Sequence, residues 1–386
     1  MLQNSKTNTK KWLEYGIFFL VIFAALIVAD IIFPAYSMII VVLKKGAIFS
    51  LLAVSMNLLN GFTGLFSLGQ AGFMLLGAYA YSVLTMTNEA REEVYYLTKG
   101  SAITFTLPWW LGLVIAGVIA AAFAFLIGLP VLKLKSDYLA IATLGFAEIL
   151  KAFIQWTKFQ RITNGSIQLN EYPVFSQSSI LEGTLLENMS LTPYVFIVAV
   201  CILLVILLID STYGRAFKAI RDDEIAAQAM GINLAKHKII SFVTSSFFAG
   251  IGGALLAMYQ TSIAAKQFTS AMTYEILLIV VIGGIGSITG SVLASFLYVA
   301  CSEWWLRGLD GGRFLGISAP KIFRGGFRMV VFSVIIMVIV LFFRKGIMGE
   351  RELDLDRVGK FFTRTVPSWF GKKKASGDKG GKEVSK

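Results

Sequence analysis

From Ile276 to Ser302 the chain runs without one Asp, Glu, Lys, Arg or His until Glu303, and a helix that spans a bilayer needs about 20 such residues. Similar runs recur near 13–33, 36–60, 69–86, 108–132, 137–156, 192–210, 239–260 and 326–343. Hydrophobic residues make up 56% of the 386 positions and charged ones 15%. A soluble core of this length cannot hide that much apolar surface. The expected fold class is therefore all-α, a polytopic integral membrane protein with about ten crossings, some of them broken or re-entrant. Lys44 and Lys45 interrupt the second run, so either a tilted span carries snorkelling lysines or a shorter helix begins at Gly46. Lys6, Lys10 and Lys11 ahead of Tyr15 to Ala29 resemble a signal peptide. No small-x-small cleavage site follows, only Asp30-Ile-Ile-Phe-Pro34, and a retained first helix is expected.

The net charge of +12 sits oddly on so apolar a chain until it is mapped. Residues 344–386 hold 12 Lys/Arg against 6 Asp/Glu, residues 211–238 hold 5 against 3, and residues 1–12 hold three Lys and no acid. Basic residues in short loops mark the cytoplasmic side. The organisation expected is a cytoplasmic segment 1–12, a transmembrane domain 13–343 with a cytoplasmic loop 211–238, and a basic cytoplasmic tail 344–386. Both ends fall inside only if 275–301 crosses as two halves, broken in Gly283-Gly284-Ile285-Gly286-Ser287-Ile288-Thr289-Gly290. Arg307, Arg313, Lys321 and Arg324 would then lie outside, against the charge rule. Lys/Arg interleaved with aromatics on a soluble face is missing, so nucleic acid is not an expected partner; the basic tail suits anionic lipid. The segments 87–107 and 157–191, with Glu89, Glu92, Glu93, Glu171, Glu182 and Glu187, suit either an external partner or plain solvation.

No catalytic constellation is legible. GxxxxGK[ST], HExxH, GxSxG and paired catalytic carboxylates are all missing, and the glycines at 283–290 precede no lysine, so no ATP site, catalytic residue or metal site is expected in this chain. Cys201 and Cys301 sit in apolar runs without a CxxC or His/Cys cluster. His237, between Lys236 and Lys238, reads as a surface residue. Asp30, Glu148 and Glu275 are acids within or at the edge of apolar runs, functional by default in a membrane. Span ends account for Asp30 and Glu275, and a helical pair with Lys151 accounts for Glu148.

The informative stretch is 211–238. From Arg215 to Met230 strong helix formers run without proline, and Gly231 stands where a helix end wants a left-handed residue. Ala219, Ala226, Ala227 and Ala229 make one side small, Ile220, Ile225 and Met230 offer apolar anchors, and Arg215, Arg221, Asp222, Asp223 and Glu224 form a charged rim. Two readings stand side by side, a helix that docks on a partner and an amphipathic helix on lipid headgroups.

Glu224-Ile-Ala-Ala-Gln-Ala-Met-Gly231 resembles the cytoplasmic EAA loop of ABC permeases, in the variant of the inner-membrane permease subunits of branched-chain amino acid ABC transporters, LivM type. Three further stretches resemble that family in its order: Met56-Asn-Leu-Leu-Asn-Gly-Phe-Thr-Gly-Leu-Phe-Ser-Leu-Gly-Gln-Ala-Gly-Phe73 with Gly77-Ala-Tyr79, Leu134 to Ile149, and Glu275 to Gly290. An Arg344-Lys-Gly-Ile-Met-Gly349 ending follows. The chain departs from many members at Gln70, where they carry His, and at Thr163-Asn-Gly-Ser-Ile167, where they carry a Gly-Gly-Pro-Asn-Gly-like run. The first 30 residues and those after Leu353 carry no such signal.

The resemblance implies a heteromeric importer in the cytoplasmic (inner) membrane: this permease, a sister permease, two ATP-binding cassette subunits that hold ATP-Mg, and an external solute-binding protein. It implies that 211–238 is the coupling helix, with Arg215, Arg221, Glu224, Ala226, Ala227, Met230 and Gly231 at the ATPase contact. Asn57, Asn60, Ser67 and Gln70, with Gly283, Gly284, Gly286 and Ser287, are candidates for a translocation path where unwound backbone is tolerated. The same polar and small residues also suit helix packing. The 283–290 break weakly echoes the 57–70 segment, as a repeated half would. Branched-chain amino acids are the expected substrate; urea, short amides or other amino acids, and an ion-driven secondary transporter, are the competing readings.

Overall fold

The computed structural model describes residues 37–96, 100–134, 136–175 and 190–305, with isolated positions at 27, 30, 313–314, 317–318, 331, 333–334, 337 and 346–349. Most of the expected spans 13–33 and 326–343 lies outside the described residues, as do the expected segment 1–12 and nearly all of the basic tail 344–386.

Among the described residues, eleven helices carry the architecture: α1 (Met38–Asn57), α2 (Gln70–Thr85), α3 (Asn88–Val94), α4 (Trp109–Val131), α5 (Ser136–Gln155), α6 (Thr192–Asp210), α7 (Thr212–Asp222), α8 (Glu224–Ala229), α9 (Leu234–Gln260), α10 (Ser270–Gly283) and α11 (Ile288–Val299). Short helical turns and one two-residue antiparallel pairing, Arg313–Phe314 with Ile317–Ser318, complete it. Five stretches are long and apolar enough to cross a membrane: Met38–Phe62, Trp109–Val131, Tyr138–Gln155, Thr192–Asp210 and Leu234–Gln260. The protein is a polytopic, helical membrane protein.

α1 runs unbroken through Lys44 and Lys45, which decides for a full-length span over a helix starting at Gly46. Lys44 is buried with its ammonium over the Tyr194 ring, and Lys45 pairs with Glu303, so packing against protein accommodates both charges. α9 starts five residues before its apolar run because Asn233 caps it, accepting from the Lys236 N–H.

α1 and α9 form the centre, each 72% buried across its apolar window, while α5 and α6 are 28% buried and lie at the edge. Small residues set how closely the central helices approach. A Cβ on Gly77 would collide with the Gly250 carbonyl, and one on Gly250 would fall 2.6 Å from Cβ of Ala120. α2, α9 and α4 therefore touch backbone to backbone, as helices do where dispersion rather than water expulsion drives association. The outer faces of α4 and α6 leave Val114, Val118, Leu126, Phe196, Leu203 and Leu207 exposed, a surface suited to lipid.

The ends differ in chemistry. Tyr96, Trp110 and Trp156 are exposed at one end, where the 87–107 and 157–163 segments are joined by the Ala102 N–H to the Arg161 carbonyl. Buried Arg91 knots that end by donating to the carbonyls of Val83, Ile103 and Phe105. Glu89, Glu92 and Glu93 are left facing out and balance the exposed Lys158 and Arg161. Burial pushes the Tyr95 phenol upward, so it stays a donor, to the Ile162 carbonyl. At the other end Lys133, Arg215, Lys218 and Lys236 are exposed. Aromatic residues mark membrane boundaries and an excess of basic ones the cytoplasmic loops.

Candidate coupling site at the basic end

Ser211 starts α7 by accepting the Tyr213 N–H on its hydroxyl. Gly214 lets the helix fold back against α6, since a Cβ there would collide with the Ile209 carbonyl. Phe217 and Ile220 turn into the protein and are fully buried. The His237 ring lies beside Tyr213 and Phe217 and bonds the Asn233 carbonyl through Nδ1, so this histidine helps seat α7 on the start of α9.

The expected single helix from Arg215 to Met230 is two. Asp223 adopts extended backbone, φ −159° and ψ 114°, and its Oδ1 accepts the N–H groups of Ile225 and Ala226. A short carboxylate competes with the helix for its own backbone and restarts it as a cap. The break reorients the residues beyond it. Of the three expected anchors only Ile220 is buried, while Ile225 and Met230 are 82% and 84% exposed. The alanines share no single face either: Ala227 is buried, and Ala226 and Ala229 are exposed.

Gly231 has φ +84°. Its N–H bonds the Gln228 carbonyl and the Ile232 N–H bonds the Ala227 carbonyl, which is the Schellman closure expected of a left-handed residue after a helix. Glu224 pairs with Lys238 of α9 at 2.7 Å. Both border a cleft of about 340 Å³ that reaches Gly64, Leu132, Lys133 and Leu139. Arg215 faces outward, whereas Arg221 turns inward and donates to the Gly61 carbonyl at 3.1 Å.

Gly61 belongs to a wider π turn, Leu58–Phe62, that ends the span begun by α1; such turns interrupt the regular ladder and are frequent at functional sites. The 275–301 run breaks as expected, between α10 and α11. The break is a reversal: a Cβ on Gly283 would fall 2.5 Å from the Gly290 backbone, so two antiparallel legs meet across the turn 284–287. Gly284 and Gly286, at φ +116° and +86°, make that turn. Two later N–H groups, of Ile347 and Met348, cap the first leg by bonding the Ile282 and Gly283 carbonyls, which gives the Gly-Ile-Met-Gly of that ending a place in the fold.

Asn57 clasps the two interruptions together. Its Nδ2 donates to the Ser287 carbonyl and the Ser291 hydroxyl, both at 2.8 Å, and its Oδ1 accepts the Gly286 N–H at 2.8 Å. Of the candidate path residues, the structure thus brings Asn57, Gly283, Gly284, Gly286 and Ser287 into one knot. Asn60 and Ser67 clasp the unwound segment after the π turn, with the Ser67 N–H bonding Asn60 Oδ1. Gln70 donates to the Ser55 hydroxyl at 2.6 Å, and the Ser55 carbonyl accepts from Ser245. The sequence alone does not single out Ser55, Ser245, Ser291 or Ser241, the partner of Thr63, because hydroxyls in an apolar run look alike until a partner is seen.

Among the acids, Asp30 lies at a span end, as expected, and is buried there, accepting the N–H groups of Leu191 and Thr192 and the Thr192 hydroxyl at the start of α6. An anion there offsets the unpaired donors of a helix N-terminus. Glu148 pairs with Lys151 at 3.5 Å and accepts from Ser270, and Glu275 is exposed. No group of three or more His, Cys, Asp or Glu side chains is placed to hold a metal among the described residues.

A model of the family described as branched-chain amino acid transport system / permease component matches residues 38–343. The chain is 34% identical over 277 residues to the high-affinity branched-chain amino acid transport system permease protein LivM of Escherichia coli, covering 66% of this chain and 61% of that one. It therefore spans about six tenths of the length of that relative. A probable branched-chain amino acid transport permease protein LivM of Methanocaldococcus jannaschii is 23% identical, covering 79% of this chain and 92% of that one. The nucleoside ABC transporter permease protein NupC of Lactococcus lactis is 24% identical, covering 75% and 87%. No solved structure matches.

Proposed function

Because the chain belongs to the branched-chain amino acid transport permease family, we propose that it is a permease subunit of a binding-protein-dependent ABC importer that passes branched-chain amino acids across the cytoplasmic membrane. Its partners on this reading are a sister permease, two ATPase subunits that hold ATP-Mg, and an external solute-binding protein. The observation that carries it is the α7–α8 pair. One face is anchored by Phe217, Ile220 and Ala227, and the other leaves Ile225 and Met230 exposed at the basic end beside the clasped breaks. Exposed apolar side chains on a rigidly held helix favour insertion into a protein cleft over a loose contact with headgroups.

The chain's own work on this reading is mechanical. ATP-driven closure of the partner subunits moves α8, which passes the motion to α7 and to the ends of the spans, and the permease alternates between inward and outward openings. The test is to purify the chain with its neighbouring subunits and reconstitute them in vesicles. Co-purification with ATPase subunits and leucine uptake only with ATP and binding protein is expected. Uptake driven by an H⁺ or Na⁺ gradient without ATPase subunits would overturn the proposal. Competition with nucleosides, urea and short amides then tests the substrate, since the Lactococcus relative is named for nucleosides.

A further inference from the structure

We propose that Arg221 is a positioning residue, a strut that carries movement of α7 into the clasped breaks. This rests on reading α7–α8 as the ATPase-docking element. Its Nη1 donates to the Gly61 carbonyl at 3.1 Å, a charge-assisted bond to the π turn. The same nitrogen lies 2.9 Å from where a Cβ on Gly286 would sit, and the Arg221 stem packs on Gly64, with Cγ 3.0 Å from a Cβ built there. One side chain of the docking element therefore touches both interruptions, the π turn after α1 and the turn 284–287.

Two more contacts turn that touch into a linkage. Lys218, one helical turn earlier, lies over the Phe62 ring at 5.7 Å, so α7 meets the π turn at two points and cannot rotate freely about either. Asn57 ties the π turn to 284–287 through Ser287, Ser291 and Gly286. A displacement of α7 is thus delivered through Arg221 to Gly61, and through Asn57 to the hairpin. Folding of α7 does not depend on this bond, because Phe217, Ile220 and the Gly214 approach already seat the helix. The carboxylate beside the guanidinium is solvent-facing Asp222, at 3.4 Å from Nε, and it leaves Nη1 committed to Gly61.

Two substitutions separate the strut from ordinary packing. Arg221→Met keeps an unbranched stem on Gly64 and removes the donor, whereas Arg221→Lys keeps a donor within reach. Each is reconstituted as the full complex in vesicles, and ATP hydrolysis and leucine uptake are measured separately. In Arg221→Met, assembly and hydrolysis persist while uptake per ATP falls about tenfold, within the range of typical coupling energies. Arg221→Lys restores most of that ratio. A wild-type ratio in Arg221→Met, or equal loss in both variants, overturns the strut and leaves the docking reading intact. A wild-type complex that moves solute without ATPase subunits overturns both together.

Discussion

Gly231 and Asn57 show how single residues decide this site. Gly231 has φ +84° with open space where a side chain would sit, so a substitution there costs backbone strain and no collision. Gly231→Val should destabilise the turn after α8 by about 1–2 kcal/mol, the cost of left-handed backbone for a branched residue. The complex should assemble and hydrolyse ATP while uptake per ATP drops; assembly with unchanged transport would remove Gly231 from the coupling element. Asn57 makes bonds that no apolar residue replaces, and Asn57→Leu removes the partner of the half-buried Gly286 N–H together with the donor to the buried Ser287 carbonyl and Ser291 hydroxyl. A buried donor or acceptor left unpaired costs about 1–3 kcal/mol. Thermal unfolding of the detergent-solubilised protein should fall accordingly, and an unchanged midpoint would show that the clasp contributes nothing.

At the scale of elements, the α7–α8 break is the feature most open to test. Asp223 holds it by accepting two N–H groups, and Asp223→Ala should weaken α8 by about 1 kcal/mol, the usual worth of a helix cap. Amide exchange in α8 should quicken while that in α7 stays slow; equal acceleration in both would mean that they unfold as one helix. The exposed pair Ile225 and Met230 belongs to the partner contact on our reading. Replacing both with Glu should leave the permease folded and abolish co-purification with the ATPase subunits. Retained co-purification would place docking on another surface. The Glu224–Lys238 pair is half exposed on its acidic side, and such pairs contribute about 0.2–1 kcal/mol, so it serves register more than stability.

For the whole molecule, the exposed Lys133, Arg215, Lys218 and Lys236 at the end that carries α7 and α8 give an orientation that can be measured. In a background without Cys201 and Cys301, Lys133→Cys should react with a membrane-impermeant thiol reagent only in inverted vesicles, and Tyr96→Cys only in intact cells. The reverse pattern would invert the topology. The reversal at 284–287 also sends α11 away from the end that carries α7 and α8. The described start of the 302–325 stretch therefore points toward the aromatic end, the side on which the charge rule disfavours Arg307 and its neighbours.

Apolar run lengths by themselves determined that the chain is helical and membrane-spanning, and they placed α2, α4, α5 and α6 to within two residues, because lipid leaves the backbone few alternatives. Glycines at 283–290 announced the break, and Gly231 announced a left-handed turn, since few other residues accept those angles. Direction of side chains was not legible. Ile220 and Ile225 look equivalent in a string, but Asp223 interrupts the helix between them, so one is buried and the other faces out. Arg221 looks like a rim charge until its partner, a carbonyl 160 residues earlier in the chain, comes within 3.1 Å. Partners that distant are chosen by packing of whole helices, and only the tertiary structure decides them.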